Sequence, residues 1–440
     1  MQFDALSEVM RNCGVVGAGG AGFPSYAKLN TKADTIILNC AECEPLFRVH
    51  RQLLAKYTYE ILTALEHVRE ATEAERIIIA VKPSYKDAIE AVNEKTSTFK
   101  NVTIAHLPEI YPAGDEVVTI YESTGRVVPP GQLPISVGCI VFNVETMLNT
   151  YYAITENRPV TTKYVSVVGA VNNPTTFKVP LGMKFSELAK LAGGINIEDY
   201  AWLSGGAMTG NLAKATDVVT KTTNAVMILP ENHPVILKRK SKTTLNIKRS
   251  MSACCQCSMC TDLCPRHLLG HPIEPHLFMR AASKGMENDH KAVINTLYCS
   301  QCGICEMYAC PINLSPKSIM GECKERLRKE GIKPEPLEAK PVNPMRKHRR
   351  VQMERLLARL GLAKYAVRAP LVEDEIKPKE VKILFRQHIG APAKALIQKG
   401  DKINSGDLIA EASDGLSVPV NSSVSGTVRE LTDEYAVIKC

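Results

Sequence analysis

The chain is poor in aromatic residues: 5% of 440, with a single Trp, Trp202. It has no apolar run of 18 residues, so no segment reads as a membrane-crossing helix. Its first residues, MQFDALSEVMRNCG, lack the basic-then-apolar order of a secretory leader. Phe3, Leu6, Val9 and Met10 fall at helical spacing instead. The sequence therefore points to a cytoplasmic chain with no transmembrane segment. Its basic runs are not interleaved with aromatics and no base-reading motif occurs, which argues against nucleic acid as a partner. Apolar residues still make up 45%, enough for a sizeable core. The length allows two to four domains at roughly 100–200 residues each.

What the chain has in plenty is cysteine, fifteen in all. Clustered cysteines in a reducing compartment are metal ligands more often than disulfides. Cys254, Cys257, Cys260 and Cys264 follow C-x2-C-x2-C-x3-C-P, the spacing of bacterial two-cluster ferredoxins. Cys299, Cys302, Cys305 and Cys310 follow the same pattern with one extra residue before the last cysteine. Three thiolates at this spacing let one loop wrap three corners of an iron–sulfur cube, and the fourth comes from elsewhere. In two-cluster ferredoxins the fourth cysteine of each run serves the other cluster. That predicts two [4Fe–4S] clusters, one on Cys254, Cys257, Cys260 and Cys310, the other on Cys299, Cys302, Cys305 and Cys264. Zinc sites are the plainer alternative, but each needs only four ligands in two separated pairs. Cys13, Cys40, Cys43, Cys139, Cys255, Cys323 and Cys440 lack the pattern and read as ordinary residues. The stretch between the runs, with His276–Met279 and Val293–Leu297, reads as helical.

The net charge of +8 is uneven. Residues 238–249 hold six Lys/Arg and no acid, and residues 324–350 hold ten against four acids. These runs are solvated surface, or they dock an acidic redox partner.

Gly17, Gly19, Gly20 and Gly22 sit in a loop containing G-x-G-x-x-G. Only Val15–Val16 precede it where a Rossmann fingerprint requires a strand, so a standard NAD fold is not indicated. A run this rich in glycine suits close backbone approach to a phosphate or a flat ring. Strands are predicted at Thr35–Leu38, Ile77–Val81, Val102–Ala105 and Cys139–Phe142, with helices near 46–73 and 84–97. That alternation implies a mostly parallel sheet.

GAGGAGFPSYAKL, NCAECEP, YPAGDE and NVET, in that order over residues 14–146, resemble the flavoprotein subunit of respiratory complex I and related NAD-linked hydrogenases. The resemblance implies FMN lined by Gly17, Gly19, Gly20 and Gly22, with Lys28 near its phosphate or ring. It implies Asn39, Glu42 and Glu44 bonding the flavin and its ribityl chain. Tyr111, Gly114, Asp115 and Glu116 would lie by the nicotinamide nucleotide, Asn143 and Thr146 at the phosphate, and Phe23 against a nicotinamide or adenine. Ala18 departs from an Arg common in that family, which bears on affinity for NADH.

Residues 163–235 resemble the soluble-ligand-binding β-grasp (SLBB) domain that follows the flavin domain in that family. Residues 380–440 resemble the barrel-sandwich fold of biotinyl and lipoyl carriers. VNSSVSGTV holds no Lys for a prosthetic group, so a packing or docking role is expected there. The fold expected is α/β multidomain. It comprises a Rossmann-like flavin domain (1–160), a β-grasp domain (161–240), an α-helical two-cluster ferredoxin-like insert (241–330), a basic linker (331–372) and a barrel-sandwich β domain (373–440).

Two families combine these parts: the RnfC component of the Rnf membrane complex, and the cobalamin reductases of propanediol-utilisation microcompartments. In the former the barrel-sandwich segment precedes the flavin domain, whereas here it follows the clusters. That order and the Glu306-Met307-Tyr308-Ala309 insert resemble the second family. The second resemblance implies NADH as donor, a corrinoid as acceptor, an adenosyltransferase and microcompartment proteins as partners, and a location inside the microcompartment. No side chain need act as acid or base in hydride transfer. The alternatives are a relay protein docked at a membrane complex, and a scaffold in which only the clusters work.

Overall fold

The computed structural model describes residues 1–285 and 289–440; the helical stretch expected between the cysteine runs crosses residues 286–288, which lie outside them. The chain opens with α1 (Phe3–Asn12), which buries Leu6 and Met10. It turns through the glycine loop without forming a strand; Val16 makes only an isolated bridge to Pro24.

The first sheet has four parallel strands in the order β3 (Val102–His106), β2 (Arg76–Val81), β1 (Thr35–Cys40), β5 (Cys139–Asn143). Ile36, Ile37 and Leu38 of β1 are wholly buried, as a central parallel strand requires. Burial contributes about 1.5–3 kcal/mol for each. The segment expected as one helix over 46–73 forms two, α2 (Val49–Lys56) and α3 (Thr58–Thr72). The break falls at Tyr57, whose φ of −115° and ψ of 36° leave the helical region. Its hydroxyl bonds Glu373, far along the chain, at 2.5 Å. α4 (Lys86–Lys95) follows β2. The two-residue β4 (Ile110–Tyr111) leads to α5 (Glu116–Thr124), and α6 (Val144–Glu156) leaves the end of β5.

The chain proceeds from β1 outward to β3 and then returns to place β5 on the other side of β1. This reversal opens a crevice at the carboxyl ends of β1 and β5, the place where open α/β sheets bind ligands.

A six-stranded sheet follows, built on β6 (Thr162–Gly169), β7 (Thr175–Pro180), β8 (Tyr200–Ser204), β9 (Asn211–Ala213) and β10 (Ala225–Pro230), with α7 (Phe185–Leu191) against it. β6 and β10 pair in parallel between antiparallel neighbours, the arrangement of a β-grasp. A small helical unit carries the cysteine runs, and two short sheets over 380–439 close on a core that includes Val381, Ile383, Phe385 and Ile438.

The basic connector is tied down at its middle and at its C-terminal end. Val351–Gln352 pairs antiparallel with β4 of the flavin domain. Leu371–Val372 pairs with β7 and supplies the sixth strand of the β-grasp sheet.

Candidate functional site

At the β1–β5 crevice lies a cavity of about 220 Å³, walled by Gly17, Gly19, Gly20, Gly22, Phe23, Lys28, Asn39, Gly114, Glu116, Asn143 and Thr146 among others. The topology thus gathers residues from four separate sequence motifs. Ligand pockets usually run to ~300–1,000 Å³, so this cleft is small for a whole nucleotide.

Two of the glycines are fixed by sterics within the protein. A Cβ at Gly19 would lie 2.3 Å from Asn143 Nδ2. Gly22 has φ +73°, and a Cβ there would lie 2.8 Å from the Thr222 side chain. Gly20 differs: it is exposed, and a Cβ there meets nothing within 4 Å among the described residues. Its smallness matters only to something that approaches from outside.

The loop is held by α6. Ala18 N–H donates to Thr146 Oγ1 at 3.0 Å. Asn143 caps the helix, its Oδ1 accepting from Glu145 N and Thr146 N. That leaves Nδ2 facing His50 Nε2 at 2.9 Å. Burial lowers the His50 pKa, so the ring is neutral and accepts at Nε2. Lys28 Nζ lies 3.1 Å from Glu116 Oε1 and 3.1 Å from the Val141 carbonyl. Asn39 Nδ2 donates to the Gly114 carbonyl at 2.9 Å. Ser25, which the motifs did not single out, also lines the cavity, and its buried Oγ has no hydrogen-bond partner among the described residues. A buried hydroxyl normally has one. The open glycine, the helix N-terminus and this orphaned oxygen fit a phosphate-bearing flavin.

Glu42, Glu44, Tyr111 and Asp115 do not line the cavity, and protein partners occupy their polar atoms. Glu42 Oε1 accepts from His50 N–H in the first turn of α2, and Oε2 lies 3.4 Å from Arg51 Nε. Glu44 reaches the β-grasp domain and accepts from Met208 N and Thr209 N at 3.0 and 2.7 Å. Tyr111 donates its hydroxyl to the Cys302 carbonyl at 2.6 Å. Asp115 caps α5 and pairs with Arg266 at 2.9 Å. Arg266 lies two residues past Cys264, so the flavin domain and the cysteine unit are in direct contact. Sequence spacing pointed to the cysteines of that run and passed over this Arg.

The cysteines sort into two quartets. Burial pushes the Cys260 thiol up to about 12, and the next contributions come from Cys310, Cys254 and Cys257. Burial likewise pushes Cys264 up to about 12, with Cys299 beside it. Burial raises Cys302 and Cys305 too, and each has Cys264 and Cys299 among its charged neighbours. Each two-residue spacer contains a residue in the left-handed region: Gln256, Ser258, Gln301 and Gly303. This conformation bends the loop around a centre. The extra residue of the second run is absorbed by a π-helical turn over Cys305–Ala309, the usual form of a one-residue helical insertion. Gln256 Nε2, Gln301 N and Leu314 N donate to the sulfurs of Cys254, Cys299 and Cys310 at 3.2, 3.3 and 3.3 Å. No three His, Cys, Asp or Glu among the described residues converge as ligands of a single ion. A [4Fe–4S] cube takes four thiolates, and each of the two groups of neighbouring cysteines numbers four.

Comparison with known proteins accounts for each part. Residues 10–152 match the Nuo51 FMN-binding domain, 164–212 the SLBB domain, 253–315 the 4Fe-4S dicluster domain, and 361–439 the RnfC barrel sandwich hybrid domain. Over 440 residues the chain is 40% identical to the cobalamin reductase PduS of Salmonella typhimurium, covering 99% of this chain and 96% of that one. The chain belongs to the PduS cobalamin reductase family. Within that family, PduS of Citrobacter freundii is also 40% identical, over 98% of this chain and 96% of its own. The similarity to the RnfC-type component of the Na(+)-translocating ferredoxin:NAD(+) oxidoreductase complex of Acetobacterium woodii is lower, 31% over 61% of this chain and 59% of that one. An NAD+-reducing [NiFe]-hydrogenase in the air-oxidised state shares the fold, with a TM-score of 0.50 at 17% identity over 83% of this chain and 68% of that chain. The four-part architecture expected of the PduS family is thus present, and the chain is an oxidoreductase.

Proposed function

We propose that the chain is an NADH-dependent cobalamin reductase that holds FMN in the β1–β5 crevice and two [4Fe–4S] clusters on the two cysteine quartets. Bound FMN would supply the exchange between a hydride's electron pair and single electrons, and bound clusters would supply one-electron transfer towards a corrinoid. The protein supplies the frame. Gly17 to Gly22, Lys28, Ser25 and the N-terminus of α6 would hold the flavin nucleotide. Cys264, Cys299, Cys302 and Cys305 would hold one cluster, and Cys254, Cys257, Cys260 and Cys310 the other.

The observation that carries this reading is the direct contact of the two parts: Tyr111 and Asp115 of the flavin domain touch the Cys302 backbone and Arg266. The relay alternative at a membrane complex rests on the barrel-sandwich match, but the similarity to that complex spans 61% of this chain against 99% for the reductases. No described helix is long and apolar enough to cross a membrane. An adenosyltransferase that captures the reduced corrinoid, and a place within a microcompartment, go with the reductase reading.

The test is anaerobic purification, followed by iron and flavin assays and a visible spectrum before and after NADH, then with cob(II)alamin. About eight irons and one flavin per chain, bleaching by NADH and formation of cob(I)alamin are expected. Full iron without flavin or bleaching would overturn the NADH reading.

A further inference from the structure

We propose that the cavity beside Cys310, bounded by the end of α8 (Pro234–Lys240) and by α9 (Thr243–Ala253), is the binding site of the corrinoid acceptor; this rests on the reductase reading above. The cavity measures about 800 Å³, and no Asp or Glu is among its described lining residues. Lys238, Arg249 and Arg359 converge on it, and none of them has a carboxylate partner among the described residues. Lys238 Nζ instead reaches the backbone oxygens of Asn313 and Leu314 at 2.6 and 2.9 Å. Arg359 Nη2 lies 3.5 Å from the Cys310 carbonyl. Glu306, Cys310 and Cys305 offset part of the Lys238 charge from behind the wall, while Arg249 repels it, and an anionic group in the hollow relieves the repulsion among the three cations.

The remaining wall is apolar. Leu237 and Leu245 line it with 54% and 46% of their surface exposed. Asn246 sits at the floor, 3% exposed, and its Oδ1 accepts from Ser241 Oγ at 2.7 Å while Nδ2 has no partner among the described residues. Turning the amide over would only orphan the oxygen instead. A corrinoid matches this chemistry: an apolar macrocycle, a rim of amides and one phosphodiester. The location also fits delivery of an electron, since Pro311, next to Cys310, forms part of the wall. The basic run over 238–249 thereby acquires a role that composition alone leaves open.

The test is equilibrium binding of cyanocobalamin to the anaerobically purified holoprotein, with Arg249→Glu, Leu245→Glu and, as a charge control off the cavity wall, Lys248→Glu. Iron content and the cluster absorbance verify that each variant is folded. Loss of one charge-assisted contact weakens binding roughly tenfold or more. A loss of that size is expected for Arg249→Glu, which removes such a contact, and for Leu245→Glu, which sets a carboxylate in the apolar wall, with Lys248→Glu equal to wild type. Equal affinity in all four proteins overturns the site. If wild type binds no cyanocobalamin the site also falls. NADH-driven formation of cob(I)alamin then tells whether the reductase reading survives (activity present) or falls with it (activity absent).

Discussion

Asp115 and Arg266 form an ion pair at 2.9 Å that joins the cap of a flavin-domain helix to the residue two beyond Cys264. Asp115 is 7% exposed and Arg266 18%. Removing one partner from so enclosed a pair leaves the other charge uncompensated, at about 3–5 kcal/mol. Arg266→Met is therefore expected to lower the unfolding temperature more than the double change Arg266→Met/Asp115→Asn. Anaerobic thermal unfolding of the three proteins measures this. Equal losses in single and double variants would show that the pair does not couple the domains.

The crossed assignment of fourth ligands gives opposite outcomes for two serine substitutions. Cys264→Ser should remove the cluster held by Cys299, Cys302 and Cys305, and Cys310→Ser the one held by Cys254, Cys257 and Cys260. Each should retain about four of eight irons. Electron paramagnetic resonance of the reduced variants then distinguishes which cluster signal is lost. If Cys264→Ser disturbs the signal of its own run instead, the assignment is uncrossed.

Gly19 and Gly20 are neighbours with different reasons for being glycine. Gly19→Ala puts a Cβ 2.3 Å from Asn143 Nδ2 and is expected to displace the α6 cap and lower both stability and flavin content. Gly20→Val has no described protein atom to meet within 4 Å of its Cβ. It should leave the unfolding temperature within about 1–2 °C of wild type while lowering bound flavin severalfold. Flavin stoichiometry after desalting measures both.

Lys221 is buried, and its Nζ donates to the carbonyls of Gly14 and Pro419 at 2.8 and 3.3 Å. It so ties the approach to the glycine loop to the C-terminal domain. Burial lowers its pKa from 10.5 to about 7. The unfolded chain then binds more protons than the folded one between pH 7 and 10.5, and stability rises with pH across that window. Wild type should gain more in unfolding temperature from pH 7 to pH 9 than Lys221→Met. The same gain in both would show that other groups set the dependence.

Much of this was legible because it is local. The x2 spacing bends a loop around three thiols wherever the chain places it, and the alternation of apolar strands with helices declares a parallel sheet. The glycine run declares a close approach. The four motifs over residues 14–146 indicated a flavin crevice before any of them could be seen to meet.

The uses of the acidic residues were not legible, because a carboxylate's role depends on which donors the fold brings to it. Glu42, Glu44 and Asp115 stand in motifs that suggest ligand contact. The tertiary structure gives them a helix terminus, the β-grasp loop at Met208–Thr209 and Arg266. Ser25 stands unremarked inside the glycine motif and Arg266 beside the cysteine run, and both become visible only once distant segments pack. The connector shows the same division. Its composition reads as a solvated linker, yet Val351–Gln352 and Leu371–Val372 complete sheets in two domains. Sequence determined the cofactor chemistry, because ligand spacing is a property of a few consecutive residues. Only the tertiary structure decided which charges are paired and which are left free, because pairs such as Asp115–Arg266 and Glu44–Thr209 join segments more than a hundred residues apart.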